Sequence, residues 1–92
     1  MLNELQSAHA GVPQTAIATR LVSIFARVFR VSKDRIRPDI GPADIERWDS
    51  VGHVMLVTAI EREFSLLFEV DEIMEFSTFQ AILSAVEGRT AA

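Results

Sequence analysis

Three helix-breaking residues within five positions, Pro38, Gly41 and Pro42, separate the two best helical patterns of this 92-residue chain. Proline brings no N–H to a helix or sheet, and glycine loses the most entropy when fixed, so residues 37–47 read as a long loop. A loop of that length in so short a chain is either functional or tied down. Ile36, Ile40 and Ile45 are its candidate anchors. On its near side, Ile17, Leu21, Ile24, Phe25 and Val28 recur at three and four, which predicts a helix over residues 15–30 with Pro13 just ahead of it. Arg27 and Arg30 fall late in it, where the helix dipole favours cations. Ser32 can cap a single turn before the loop begins.

Beyond the loop, Asp49 or Ser50 caps a second helix over residues 50–64. Its inward face is counted through Val51, Val54, Val57, Ile60 and Phe64, with Leu56 on the flank and Glu61, Arg62 and Glu63 toward solvent. Residues 65–70 are apolar but have no second strand to pair with, so they read as a loop feeding Leu66 and Phe68 inward. A brief third helix is expected over 71–75, with Ile73 buried. Ser77-Thr78-Phe79-Gln80 has the form of a capping box, Ser77 as N-cap and Gln80 at N3. A last helix follows, with Phe79, Ile82, Leu83 and Val86 inward, ending before Gly88. The fold class expected is all-α: a small four-helix bundle with a long loop after helix one and a short third helix. One domain is placed over 13–88, with flexible tails at 1–12 and 89–92. The first eleven residues lack a basic region followed by an apolar core, so they read as a tail and not as a signal peptide.

Composition removes several function classes. Ninety-two residues hold one core, not two. No apolar run approaches the ~20 residues of a membrane span. There is no cysteine, so disulfides and thiolate metal sites are excluded, and a cytoplasmic setting is compatible. Any thiol chemistry has to arrive on a prosthetic group. Charge is divided along the chain: six basic against three acidic residues up to Ala43, three against ten from Asp44 onward. The acidic half disfavours nucleic acid and attracts basic protein surfaces, although a solvated acidic face is the plainer account. His9 and His53 make no metal site of known spacing, and no Gly-rich loop opens a helix after a strand. A small DNA-binding helical domain would need a basic recognition helix, which Glu61 and Glu63 deny.

Ser50 is the candidate site. As a nucleophile it would want glycines two residues to either side and an oriented base. Gly52 is present, but Trp48 holds the other position and nothing orients His53, so no catalytic residue is assigned. From residues alone, Ser50 is an N-cap worth ~1 kcal/mol. Asp49-Ser50-Val51, followed by Val54, Leu56, Val57, Ile60, Glu61, Glu63 and Phe64, resembles the start of the second helix in the acyl carrier protein family, with Val51 in place of that family's Leu. The resemblance extends without gaps through the loop to Phe68, the acidic short helix and the Ser77-Thr78 cap. Upstream it takes in Val31, Ile36 and Pro38-Asp39, and so covers about 17–86.

The resemblance implies that Ser50 receives 4'-phosphopantetheine from coenzyme A through a phosphopantetheinyl transferase. The arm's thiol would then carry acyl thioesters between loading and transferring enzymes of a fatty acid, polyketide or other specialised pathway. Asp49 and Val51 would flank the attachment. Val54, Met55, His53, Glu61 and Met74 would face partners, and Val57, Ile60, Phe68, Ile73, Phe79 and Leu83 would line an acyl pocket in a monomer. Sheltering the chain would gain about 0.8 kcal/mol per CH2. Asp49 serves either as cap or as transferase contact; Trp48 packs over the loop or steers the arm. Family members of bulk fatty acid synthesis carry carboxylates where this chain has Gly52 and Met55, with His53 between them. That departure predicts a partner-facing side less acidic and more apolar, unless Met55 simply completes the core. The alternatives are an aminoacyl or peptidyl carrier of nonribosomal type, or an unmodified helical interaction domain.

Overall fold

The first helix, α1 (Ala16–Phe29), forms where the three-and-four spacing places it. Thr15 caps it, its hydroxyl accepting from the Ala18 N–H at 3.1 Å. Arg30 ends it in the left-handed region at φ 57°, returning its N–H to the Ala26 carbonyl. That conformation costs a residue with a side chain about 1 kcal/mol, so the following turn has to hold it. The structure, a computed structural model, describes residues 11–90, and among these it is all-helical. A 3-10 turn (Lys33–Arg35) follows α1, then α2 (Ser50–Phe64), α3 (Val70–Met74) and α4 (Phe79–Thr90).

α1 packs against both α2 and α4, and Phe25 is the hub. Its ring makes edge-on contacts with Phe29 at 5.7 Å, Trp48 at 5.4 Å and Phe79 at 5.0 Å. Trp48 also stacks on Phe29 at 5.3 Å. These aromatics join the long loop to α1 and α4 in one core. Quadrupole-matched pairs of this kind add about 1 kcal/mol each beyond the area they bury.

The inward face of α2 differs from the expected one. Gly52, Leu56, Val57 and Ile60 are buried, whereas Val51 is 68% and Val54 64% exposed. Each residue advances a helix by about 100°, so three successive steps of three turn the count halfway round. Val51 and Ile60 therefore lie on opposite sides. The true seam runs Gly52, Leu56, Ile60 at steps of four. Gly52 has no side chain to enter a hydropathy pattern, yet of the glycines it is the one most closely approached by other backbone. A Cβ there would land on the Arg47 carbonyl oxygen and lie 3.2 Å from the Phe29 ring. Only glycine lets α2 start against that carbonyl.

The long loop is tied down at both levels. Ile36, Ile40 and Ile45 are buried as anchors. Its backbone also serves α4: Phe79 N–H donates to the Ile40 carbonyl at 3.0 Å and Gln80 N–H to the Pro38 carbonyl at 2.9 Å. Gly41 permits this approach, since a Cβ there would sit 2.7 Å from the Ser77 carbonyl oxygen. With the first turn of α4 fixed by those carbonyls, the cap moves one residue from its expected place. Thr78, not Ser77, accepts from the Ala81 N–H at 3.1 Å, and Gln80 reaches forward to Ser84 at 3.1 Å.

α3 buries no residue completely; Ile73, expected in the core, is half-buried. A capping box between Glu69 and Glu72 supports its start. Arg89 binds Glu72 and the Leu67 carbonyl, and the Thr90 hydroxyl donates to the Val86 carbonyl at 2.9 Å. These ties carry α4 through Gly88 to Thr90, past the end expected for it. At the other end, Val12 is buried in the core. The expected tails otherwise fall on residues 1–10 and 91–92, outside the described residues.

Candidate functional site

Ser50 is the first residue of α2 and is exposed. The capping work falls to its neighbour: Asp49 Oδ1 accepts from the Gly52 N–H at 2.8 Å, and the Asp49 carbonyl accepts from the His53 N–H at 2.8 Å. Among the described residues the Ser50 hydroxyl has no hydrogen-bond partner. The first N–H groups of α2 lie beside it, with the positive end of the helix dipole. An exposed hydroxyl with no structural task, in a field that favours an anion, can bear a phosphoester.

A groove of about 490 Å³ opens beside it. Ser50, Asp49 and His53 line it from the start of α2, Trp48 and Pro42 from the loop, and Met74, Phe76 and Ser77 from the end of α3 and the connection to α4. Much of this lining is apolar, and Trp48 itself is only 3% exposed. Phe76 was not singled out in the sequence; it lies between two helices, outside any periodic pattern. Edge-on contact with Phe68 at 4.9 Å now fixes it.

His53 does not stand free at the partner face. Trp48 Nε1–H donates to His53 Nδ1 at 2.9 Å, and His53 Nε2 lies 3.0 Å from the Ile73 carbonyl oxygen. An indole nitrogen only donates, so Nδ1 must be bare and the proton must sit on Nε2, donated to Ile73. The two rings also stack, 13° from parallel. His53 is thus a strut between the loop, α2 and α3. Glu61 is also engaged inside the molecule, accepting from the Phe68 N–H at 2.9 Å. Val54, Met55 and Met74 are open, at 64%, 53% and 79% exposure, as is Val51 next to Ser50.

The six residues expected to line an acyl pocket do not form a cavity together. Ile60, Phe79 and Leu83 are fully buried, Val57 and Phe68 nearly so, and Ile73 half so. None of them lines the groove. They are packed core, and any interior shelter among them needs their side chains to part. The periodicity that marks an inward residue does not distinguish a filled interior from a hollow one.

A family model described as the phosphopantetheine attachment site matches residues 19–86. The match takes in all of α2 and α3, most of α1 and α4, and the groove with Ser50 at its edge. No curated protein matches the chain.

Proposed function

The chain belongs to the phosphopantetheine attachment-site family, and from that premise we propose that Ser50 is the residue on which the arm is installed. The observation that carries this is the division of labour at the start of α2. Asp49 caps the helix through Gly52, which leaves the neighbouring hydroxyl exposed and unengaged. A phosphopantetheinyl transferase would join that oxygen to the phosphate of coenzyme A's pantetheine half, with 3',5'-ADP leaving. The phosphodiester then sits at the amino end of a 15-residue helix, whose unpaired N–H groups favour it. The Asp49 carboxylate opposes it mildly, but one of its oxygens is already committed to Gly52.

The protein is a carrier in this reading, and its partners do the chemistry. Having no cysteine, it depends on the arm for its thiol. The cargo is an acyl group of a fatty acid, polyketide or other specialised pathway, passed between loading and transferring enzymes. A cytoplasmic monomer fits this use, and no described helix is long and apolar enough to cross a membrane. The groove beside Ser50 offers the arm an apolar resting place without disturbing the core. A long cargo would have to part the packed residues behind α3.

The test is a mass measurement. Apo protein incubated with coenzyme A and broad-specificity transferases should gain one arm and no more. Ser50→Ala should gain none while keeping the helical circular dichroism of the parent. An arm found on another residue, or no addition to folded protein with transferases of several types, would overturn the assignment.

A further inference from the structure

From Ser50 through Ile60, α2 carries no Asp, Glu, Lys or Arg. His53, the only other ionisable group in that run, is engaged by Trp48 and Ile73 inside the molecule. The acidic character of the later half of the chain therefore does not extend over this face. Val51, Val54 and Met55 are the large apolar side chains it exposes. Beside them stand Arg30 and Arg47, which share two surface hollows. One, of about 240 Å³, also takes in Val51 and Met55; the other, of about 150 Å³, lies toward Ile45.

Neither guanidinium has a hydrogen bond, an ion pair or an aromatic contact within the described chain. Their roots, by contrast, are fixed. Arg30 is the left-handed cap of α1, and the Arg47 carbonyl lies against Gly52 where no side chain would fit. Two carboxylates share the hollows. Asp49 is held by the Gly52 N–H, and Glu46 faces the second one; neither pairs with the arginines. Arg35 also borders the second hollow, bound to the Asp44 carbonyl at 2.7 Å. Arg35 also borders the neighbouring hollow with Asp34, Asp39 and Asp44, so the cations this edge has to offer are the two unengaged guanidiniums of Arg30 and Arg47, on a chain whose net charge is -4.

We propose that this face docks partner proteins whose own site is apolar and edged with carboxylates, the reverse of the polarity that the net charge implies. The inference rests on the reading of Ser50 as the arm's attachment point, since partners that act on the arm must approach beside it. A second copy of the chain is a poorer occupant, because a two-fold contact would set each arginine edge against its own twin. Apolar contact at the centre supplies affinity, while the charged edge governs approach rate and salt dependence.

The experiment uses one broad-specificity phosphopantetheinyl transferase in two forms. In one form the carrier-facing edge is basic, and in the other those residues are replaced by glutamate. Binding to the Ser50→Ala carrier is measured at low and high salt, so docking is read with no transfer occurring. The glutamate-edged form should bind about tenfold more tightly at low salt, and lose most of that advantage at high salt. Arg30→Glu with Arg47→Glu should reverse the preference, and Met55→Glu should weaken both complexes. Arg30→Gln with Arg47→Gln, which removes charge without adding any, should abolish the preference and guards against misfolding of the reversed pair. If the parent prefers the basic-edged form, or if the arginine changes leave both affinities alone, the proposal is wrong. Failure of attachment at Ser50 would instead appear only in the mass measurement on the unsubstituted chain.

Discussion

The α1–α2–α4 bundle and the short α3 are held in place by different physics. In the bundle, Phe25 touches three other aromatic rings, and Leu21, Leu56, Ile60 and Leu83 are shut off from water. α3 has no buried residue and leaves Val70 and Met74 open. Polar ties position it instead: His53 to the Ile73 carbonyl on one side, Arg89 to Glu72 on the other. Burial of apolar area is non-directional and sums over many contacts, so the bundle resists local change. A few hydrogen bonds of about 1 kcal/mol each give α3 a definite place but an easily altered one. Ser50 lies where the two meet, rooted in the bundle and facing a groove whose other wall is the end of α3.

The sharpest way to break the bundle side is Gly52→Ala. Alanine is favoured over glycine inside a helix by about 1 kcal/mol, so a clear site would be stabilised. Here the new methyl meets a backbone carbonyl that cannot rotate away, and overpacking of that kind costs about 3 kcal/mol. The clash should win, with a net loss of about 2 kcal/mol in urea unfolding. A midpoint equal to or above the parent's would mean that the Arg47 carbonyl is not locked against α2. It would also remove the fixed root claimed for that arginine.

The same contrast explains what could be read from the residues. The extent of α1 follows from spacing, and the caps that close it, Thr15 and Arg30, stand at the predicted ends. The loop anchors Ile36, Ile40 and Ile45 follow from being the apolar residues of a broken segment. α2 spans the residues its pattern predicts but turns a different face inward, because its close approach to the Arg47 carbonyl is made by Gly52, a residue with no hydropathy signal. The cap of α4 slipped by one because carbonyls of Pro38 and Ile40, some forty residues earlier, set its register. Ties such as His53 to Ile73 and Arg89 to Leu67 end on carbonyls, which every residue has. Sequence cannot name such a partner. Ser50 stands out from the family pattern around it, but its idle hydroxyl and the groove beside it arise from tertiary packing that no local pattern encodes.

On the α3 side, the larger effect is expected from His53→Ala. It removes both hydrogen bonds of the strut, leaving the Trp48 indole N–H and the Ile73 carbonyl to water. Global stability should fall by only about 1 kcal/mol, since α3 adds little buried area. Amide exchange at residues 73–76, read by NMR, should quicken about tenfold, while α1 and the middle of α2 stay protected. Trp48→Phe removes one of the two bonds and should give a smaller change at the same amides. Unaltered exchange across 73–76 in His53→Ala would show that α3 is held by packing after all, and the contrast between the regions would fail.

Arg89→Ala should produce the smallest effect. Its guanidinium is about one third exposed, so water and salt screen the pairing with Glu72. It also lies over the Phe68 ring, 5.4 Å from the centroid, and binds the Leu67 carbonyl. The loss should be about 0.5 kcal/mol, near the limit of denaturant unfolding, so the informative measurement is again local. The last turn of α4 should fray and exchange at Glu72 and Ile73 should rise less than in His53→Ala. Combining the two substitutions separates the possibilities. If two independent ties hold α3, their effects on exchange free energy should add. If one tie positions α3 so that the other can form, the double variant should be little worse than His53→Ala alone, and His53 would be the tie on which the groove depends.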